Sequence, residues 1–316
     1  MRYYQIEDLK EFASRYFTRW GVPEEDAEIT ADVLVSADAR GVDSHGLTRL
    51  QNYYGSRLES GLTNPRAALT TLKETPTTLS LDAHNGLGHP AGVKAMRMCI
   101  EKARNAGLAM ATVRNSNHYG IAGYYAMMPL SEGMIGISLT NSAPLVAPTH
   151  GRKAMLGTNP IAVAVPAGGA RPYVLDMATS IVPIGRITVY QKEGRSIPAG
   201  WGINSEGDVT EDPSRVVEGG ALMPLGGPEL LRGYKGYGLA LLVDIFAGVL
   251  AGAGFGERVL GPAVSGAANT GHFFAALRID AFRDPADFAA DMNTLLGALR
   301  DSPKAAGEER IYIHGE

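Results

Sequence analysis

From Thr77 to Gly107 the chain reads TTLSLDAHNGLGHPAGVKAMRMCIEKARNAG, and the reading of this stretch decides the fold. TTLSLDA has the texture of a strand, and GVKAMRMCIEKARNAG that of a helix. Between them stands Gly86-Leu87-Gly88-His89-Pro90-Ala91-Gly92. Strand, glycine turn and helix are the order of a Rossmann phosphate loop. Arg114, at the end of the following strand, could then meet a 2′-phosphate. Pro90 stiffens the turn, however, the segment is far from the N-terminus, and a glycine pattern says little in a chain with 39 glycines. On these residues alone a nucleotide loop and a structural turn both stand.

Upstream, Ile6, Leu9, Phe12, Ala13 and Phe17 fall at helical spacing. A second amphipathic helix follows Pro23, and a third runs from about Leu50 to Leu58. Downstream, LAMATVRN reads as a strand, IAGYYAMMPLSEG as a helix, and MIGISLTNS, IAVAVPA and PYVLDMA as strands. Residues 191–233 are polar and rich in Gly and Pro, with one short helix near Pro213 to Glu218. A long apolar helix follows Gly236, and Asp287 to Leu299 forms another. No internal repeat appears.

Composition excludes several classes. Lys plus Arg total 29 against 33 Asp plus Glu, a net charge of -4 without the basic surplus of a nucleic-acid binder. The lone cysteine, Cys99, permits no internal disulfide and reads as a small buried apolar side chain. The first residues lack the apolar core of a signal peptide, and Asp244 interrupts the most apolar stretch, Tyr237 to Phe255. The expectation is a soluble, cytoplasmic protein that binds no membrane.

Polar candidates collect at predicted loop ends, where function often sits. Asp43-Ser44-His45-Gly46 with Arg49 groups hydroxyl, imidazole and guanidinium. His118 lies in Ser116-Asn117-His118-Tyr119-Gly120, between a strand and a helix. Lys235, between glycines at the start of the apolar helix, suits a phosphate. Asp82, His84 and His89 could be metal ligands, but their spacing matches no metal motif, so no metal is expected. No G-x-S-x-G elbow is present.

Taken in order, Asp43-Ser44-His45-Gly46 with Arg49, Asn85-Gly86-Leu87-Gly88, Ser116 to Gly120, Gly157-Thr158-Asn159-Pro160, Asp176 to Ser180 and Gly233 to Gly238 resemble the type-2 malate/L-lactate dehydrogenase family over nearly the whole chain. The resemblance implies an α+β fold with a non-Rossmann dinucleotide-binding domain over 76–284. A helical domain, 1–75, would be completed by about 285–316. It also implies NAD or NADP as cofactor and a homodimer, and it turns Gly86–Gly92 into an active-site turn. His118 resembles the family's proton donor and acceptor, Ser44 and His45 a relay pair, and Arg49 a substrate-binding arginine. Ser142, Asp176, Met177, Ala178 and Lys235 fall on cofactor positions.

The activity implied is hydride transfer between a nicotinamide and a small 2-hydroxy acid or 2-oxo acid. The alternative is reduction of a cyclic imino acid such as piperideine-2-carboxylate. Where the imine-reducing branch has an acidic proton donor, this chain has Arg186. A guanidinium stays protonated, so it donates no proton and instead favours a second carboxylate. The plainer reading leaves Arg186 facing solvent at the start of a strand. The stretch after Gly256 is shorter than the family pattern, and members continue past Glu316, so contacts from those parts are left unassigned.

Overall fold

The structure is a computed structural model that describes residues 4–169, 171–261 and 264–316. Helices α1 (Ile6–Arg19) and α2 (Glu24–Ala39) pack as a pair around Ala13, Phe17, Ala27 and Leu34. Glu24, Glu25 and Asp26 in the first turn of α2 suit its positive end. Two 3₁₀ turns, Asp43–His45 and Leu47–Arg49, lead into a π-helix, Leu50–Gly55, and the single turn α3 (Ser56–Glu59).

Next come β1 (Thr70–Glu74), β2 (Thr78–Asp82), α4 (Gly88–Ala106), β3 (Leu108–Ser116), α5 (Ala122–Met127) and β4 (Met134–Thr140). After them follow β5 (Ile161–Val165), β6 (Tyr173–Met177), α6 (Ile184–Lys192), β7 (Gly202–Ile203), β8 (Val209–Thr210), α7 (Pro213–Val217) and β9 (Ala221–Leu222). The chain closes with α8 (Tyr234–Val243), which continues as a π-helix over Asp244–Val249, then β10 (Thr270–Arg278) and α9 (Pro285–Asp301).

The main sheet has seven strands in the order β1-β2-β3-β10-β4-β5-β6, and β7, β8 and β9 form a small second sheet. Among the described residues of this sheet, only β2 and β3 pair in parallel. Following the pairings across the sheet, β2, β3, β4 and β6 run one way, and β1, β10 and β5 run against them. The carboxyl ends of four strands therefore share one edge, and the loops that carry the sequence motifs leave from it.

Most predicted elements are present, with differences that have physical causes. Helix α4 starts four residues before Gly92 because Pro90 is tolerated in a first turn. Helix α5 gives way to a 3₁₀ turn, Met128–Glu132, where Pro129 removes a donor. Arg186 does not begin a strand; it lies in the first turn of α6. Strand β10, at the centre of the sheet, was not anticipated, nor was β1, which pairs with β2 at the edge. The backbone N–H of Val174 in β6 donates to His314 (3.0 Å), tying the last residues to the opposite edge. Cys99 is buried in the core that α4 builds on the sheet, and burial pushes its thiol up to about 12, so it is inert. Among the described residues no helix is long and apolar enough to cross a membrane.

Candidate active site

The loop after β3 and the turns after α2 meet at the shared sheet edge. Ser44 Oγ lies 2.9 Å from His45 Nδ1, and Arg49 Nε donates to the Ser44 carbonyl. The His45 ring stacks on His118 with centroids 5.5 Å apart, and the Arg49 guanidinium lies over Tyr53 at 5.6 Å. Tyr53 in turn lies 5.2 Å from the His118 ring. Four of the sequence-predicted residues, Ser44, His45, Arg49 and His118, are thus brought together.

His118 is held by groups that the sequence did not reveal. The Gly120 N–H donates to its Nδ1 (3.2 Å), and Tyr54 Oη lies 2.6 Å from the same atom. An N–H can only donate, so Nδ1 accepts and the neutral ring carries its proton on Nε2. Gly120 adopts φ +81, a left-handed conformation open to glycine, and a side chain there would press on Val33. Tyr54 belongs to the π-helix, whose extra residue per turn re-aims side chains and often marks functional positions. Gly88 opens α4 with no room for a Cβ, which would lie 2.2 Å from the Asn117 carbonyl. The glycine turn therefore lets α4 approach the His118 loop closely.

Electrostatics keep both imidazoles neutral. Burial, then the Arg49 charge, holds His118 well below its ordinary value, with His45 adding to the effect. The same two causes bring His45 down to about 4. Behind them, His89 is fully buried against Tyr54 (4.7 Å between rings), and neither of its ring nitrogens has a partner among the described residues. His84 points elsewhere, toward Thr70 (2.7 Å), so the two candidate metal ligands do not converge. Arg114 pairs with Asp82 (2.9 Å), which removes the sequence reading of it as a phosphate ligand.

The remaining candidates line the same edge. After β4, the Ser142 hydroxyl accepts from the Thr158 N–H (3.1 Å), and Ser142 N–H donates to Asn159 Oδ1 (3.2 Å). At the end of β6 the Asp176 carboxylate accepts from Gly123 N–H at the start of α5 (2.8 Å); crowding by protein raises its pKa. Met177 and Ala178 follow, half-buried. Asn159 Nδ2 donates to the Ala240 carbonyl (2.9 Å), tying α8 to the edge. Lys235 is exposed on the first turn of that helix, and among the described residues no carboxylate pairs with it. Arg186 stands apart, exposed on α6 with its guanidinium over Tyr190 (5.6 Å). A free cation at a helix start and fixed polar groups along a sheet edge are a donor set that fits a dinucleotide's phosphates and amide.

A family model described as malate/L-lactate dehydrogenase matches residues 4–316. The chain is 49% identical over 311 residues to a malate dehydrogenase of Pyrococcus abyssi, covering 98% of this chain and 85% of that one. It is 39% identical to an L-sulfolactate dehydrogenase of Methanocaldococcus jannaschii, over 98% of this chain and 87% of the relative. The crystal structure of a malate dehydrogenase from Entamoeba histolytica superposes with a TM-score of 0.94 at 39% identity, covering 100% of this chain and 89% of that one. The likeness is to enzymes, dehydrogenases that use NAD or NADP. The chain belongs to the malate/L-lactate dehydrogenase family, and it is an NAD(P)-dependent hydroxy acid dehydrogenase.

Proposed function

We propose that the chain interconverts a small malate- or lactate-like 2-hydroxy acid and its 2-oxo acid, with His118 as the proton-transferring residue. The observation that carries this is the anchored, part-exposed His118 ring beside the Arg49 cation. A bound nicotinamide would supply or accept the hydride. Arg49 grips the substrate carboxylate with a planar fork and fixes which face of the carbonyl is presented.

In the free chain Arg49 helps to keep His118 neutral; for Nε2 to serve as the base for the hydroxy acid, the ring's proton shifts to Nδ1 and is donated to the Tyr54 hydroxyl oxygen. A carboxylate on Arg49 offsets that charge, so His118 takes up a proton more readily and becomes the acid that protonates a developing alkoxide. Ser44 and His45, 2.9 Å apart beside the His118 ring, would relay this proton to solvent by way of a water, because the stacked rings share no hydrogen bond. Ser142, Asp176, Met177, Ala178 and Lys235 would hold the cofactor.

The sheet, with one parallel pair, supports a dinucleotide mode other than a doubly wound Rossmann domain. Leu241, Leu242, Ile245, Val249 and Leu250 expose an apolar face along α8 and its extension, which supports a homodimer. Within it the terminal stretches, 1–75 and about 285–316, would form one helical layer beside the 76–284 domain. NADH or NADPH oxidation with oxaloacetate, pyruvate and piperideine-2-carboxylate tests the proposal. Turnover of the 2-oxo acids is expected to exceed that of the cyclic imine; preference for the imine overturns it.

A further inference from the structure

Nδ1 of His118 has two neighbours of unequal capability. The Gly120 N–H, 3.2 Å away, can only donate, whereas the Tyr54 hydroxyl, 2.6 Å away, can donate or accept. With both donating, Nδ1 accepts and the neutral ring keeps its proton on Nε2. Proton transfer at Nε2 needs the opposite arrangement. When His118 protonates a developing alkoxide, its Nε2–H bond breaks and an O–H bond forms. The ring left behind is neutral only if Nδ1 already carries a proton. The reverse step uses the same ring: Nε2 takes the hydroxyl proton as hydride leaves for the nicotinamide. A protonated Nδ1 loses Gly120 as a partner, and among the described residues only Tyr54 can accept from it.

The surroundings fit Tyr54 for this part. It is 2% exposed, and burial, then Tyr53, holds its hydroxyl pKa well above the ordinary value against the Arg49 charge. It therefore stays a neutral O–H with lone pairs to offer. Consecutive residues of an α-helix point about 100° apart, yet the rings of Tyr53 and Tyr54 both lie against His118, at 5.2 and 5.9 Å. Both sit in the π-helix Leu50–Gly55. Tyr53 meets the imidazole with its ring, under Arg49, while Tyr54 meets it with its oxygen. The other ionisable groups facing His118 are Arg49, His45, His89 and His272, and each opposes a charged imidazole. Support for a protonated Nδ1 thus comes from the Tyr54 oxygen.

We propose that Tyr54 is a positioning residue whose hydroxyl selects the nitrogen of His118 that carries the proton, donating to Nδ1 in the free chain and accepting from Nδ1–H when substrate is bound. The proposal rests on the reading of His118 above and adds a requirement to it. A carboxylate on Arg49 lets the ring gain a proton, and Tyr54 keeps Nδ1–H in place while Nε2 exchanges its own with the substrate. A hydroxyl can reverse its hydrogen bond by rotating, which no backbone N–H can do.

The test compares Tyr54→Phe with wild type as full chains, since phenylalanine keeps the ring and loses only the hydroxyl. For 2-oxo acid reduction kcat is expected to fall about 10–100-fold, the scale of a hydrogen bond to a charged group, while KM changes less than about threefold. Reduction uses the charged ring, so kcat declines as pH rises through the pKa of the bound state. Without Tyr54 that decline should begin about one to two pH units lower. Nitrogen-15 NMR of the His118 ring reads the tautomer without turnover. In wild type, oxamate (a non-reacting 2-oxo acid analogue) added with NADH or NADPH is expected to bring a proton onto Nδ1. In Tyr54→Phe, Nδ1 should stay bare at the same pH. Should Tyr54→Phe fail to fold, the wild-type spectra with and without oxamate decide alone. Unchanged kcat and pH profile in the folded variant, a lower kcat with the pH decline and ring signals unmoved, or a bare wild-type Nδ1 with oxamate bound would each overturn the proposal. If His118→Ala turns over normally while oxamate still drives Tyr54-dependent protonation of Nδ1, the catalytic reading of His118 fails and the control of its tautomer by Tyr54 stands.

Discussion

Two groups of histidines at the same sheet edge meet opposite fates. His45 and His118 are part-exposed and lie beside Arg49, with a hydroxyl group near the Nδ1 of each. His272 is fully buried: its Nδ1 lies 2.7 Å from Thr140 Oγ1, its Nε2 2.8 Å from Ser116 Oγ, and Tyr119 stacks on its ring at 4.5 Å. Burial depresses both groups, to about 3 for His272. What separates them is a ring nitrogen left over for chemistry. His118 keeps Nε2, whereas His272 spends both nitrogens on holding β3, β10 and β4 together.

The sharpest way to break that contrast is His118→Ala. It should lower kcat by about 10²–10⁴-fold, the scale of a general acid, while the melting temperature changes little. Near-wild-type turnover would move the proton-transfer role to His45. His272→Ala should do the reverse: a loss of about 2–4 kcal/mol in stability from broken buried hydrogen bonds and a cavity, read from urea unfolding, with turnover per folded molecule much less affected. If His272→Ala proves as inactive as His118→Ala yet equally stable, the division collapses. Arg49→Lys keeps the charge but loses the fork, so kcat/KM for a 2-oxo acid should fall by roughly 10–100-fold. An unchanged value would remove Arg49 from the substrate.

The contrast also marks how far the sequence could be read. Helix α4 and strands β2, β3, β4 and β6 were legible because glycine, proline and apolar spacing punctuate them. Strand β10 was not. It is buried on both faces, so TGHFFAALR lacks the alternation that betrays a half-buried strand. Its pairings to β3 and β4 join residues more than 130 positions apart, beyond any local signal. His118 and His45 stood out singly as loop histidines, but their stacking depends on that long-range topology. Tyr53 could have been found: a helix over Leu50 to Leu58 was expected, and reading four residues on from Arg49 reaches it. The π turn that aims Tyr54 at His118 has no such signature.

The smallest expected effect sits between the two groups, at His89. Its ring is buried with both nitrogens unpartnered, and burial, with a smaller contribution from His272, brings it down to about 3. Above its unfolded pKa near ~6.5 the imidazole is neutral whether the chain is folded or not, so titration contributes nothing there. What remains is the cost of unmet hydrogen-bonding groups, which a leucine of similar size does not carry. His89→Leu should therefore gain about 1 kcal/mol at pH 8. Below ~6.5 the unfolded wild-type chain takes up a proton that the folded chain refuses until about 3, so folding stability falls as pH falls. That histidine alone costs about 1.4 kcal/mol per pH unit, roughly 2 kcal/mol by pH 5. The variant should escape this loss, and its advantage in urea unfolding should widen from pH 8 to pH 5. A variant less stable than wild type at pH 8 would mean that His89 has a partner, a buried water above all, and belongs with His272 among the structural histidines.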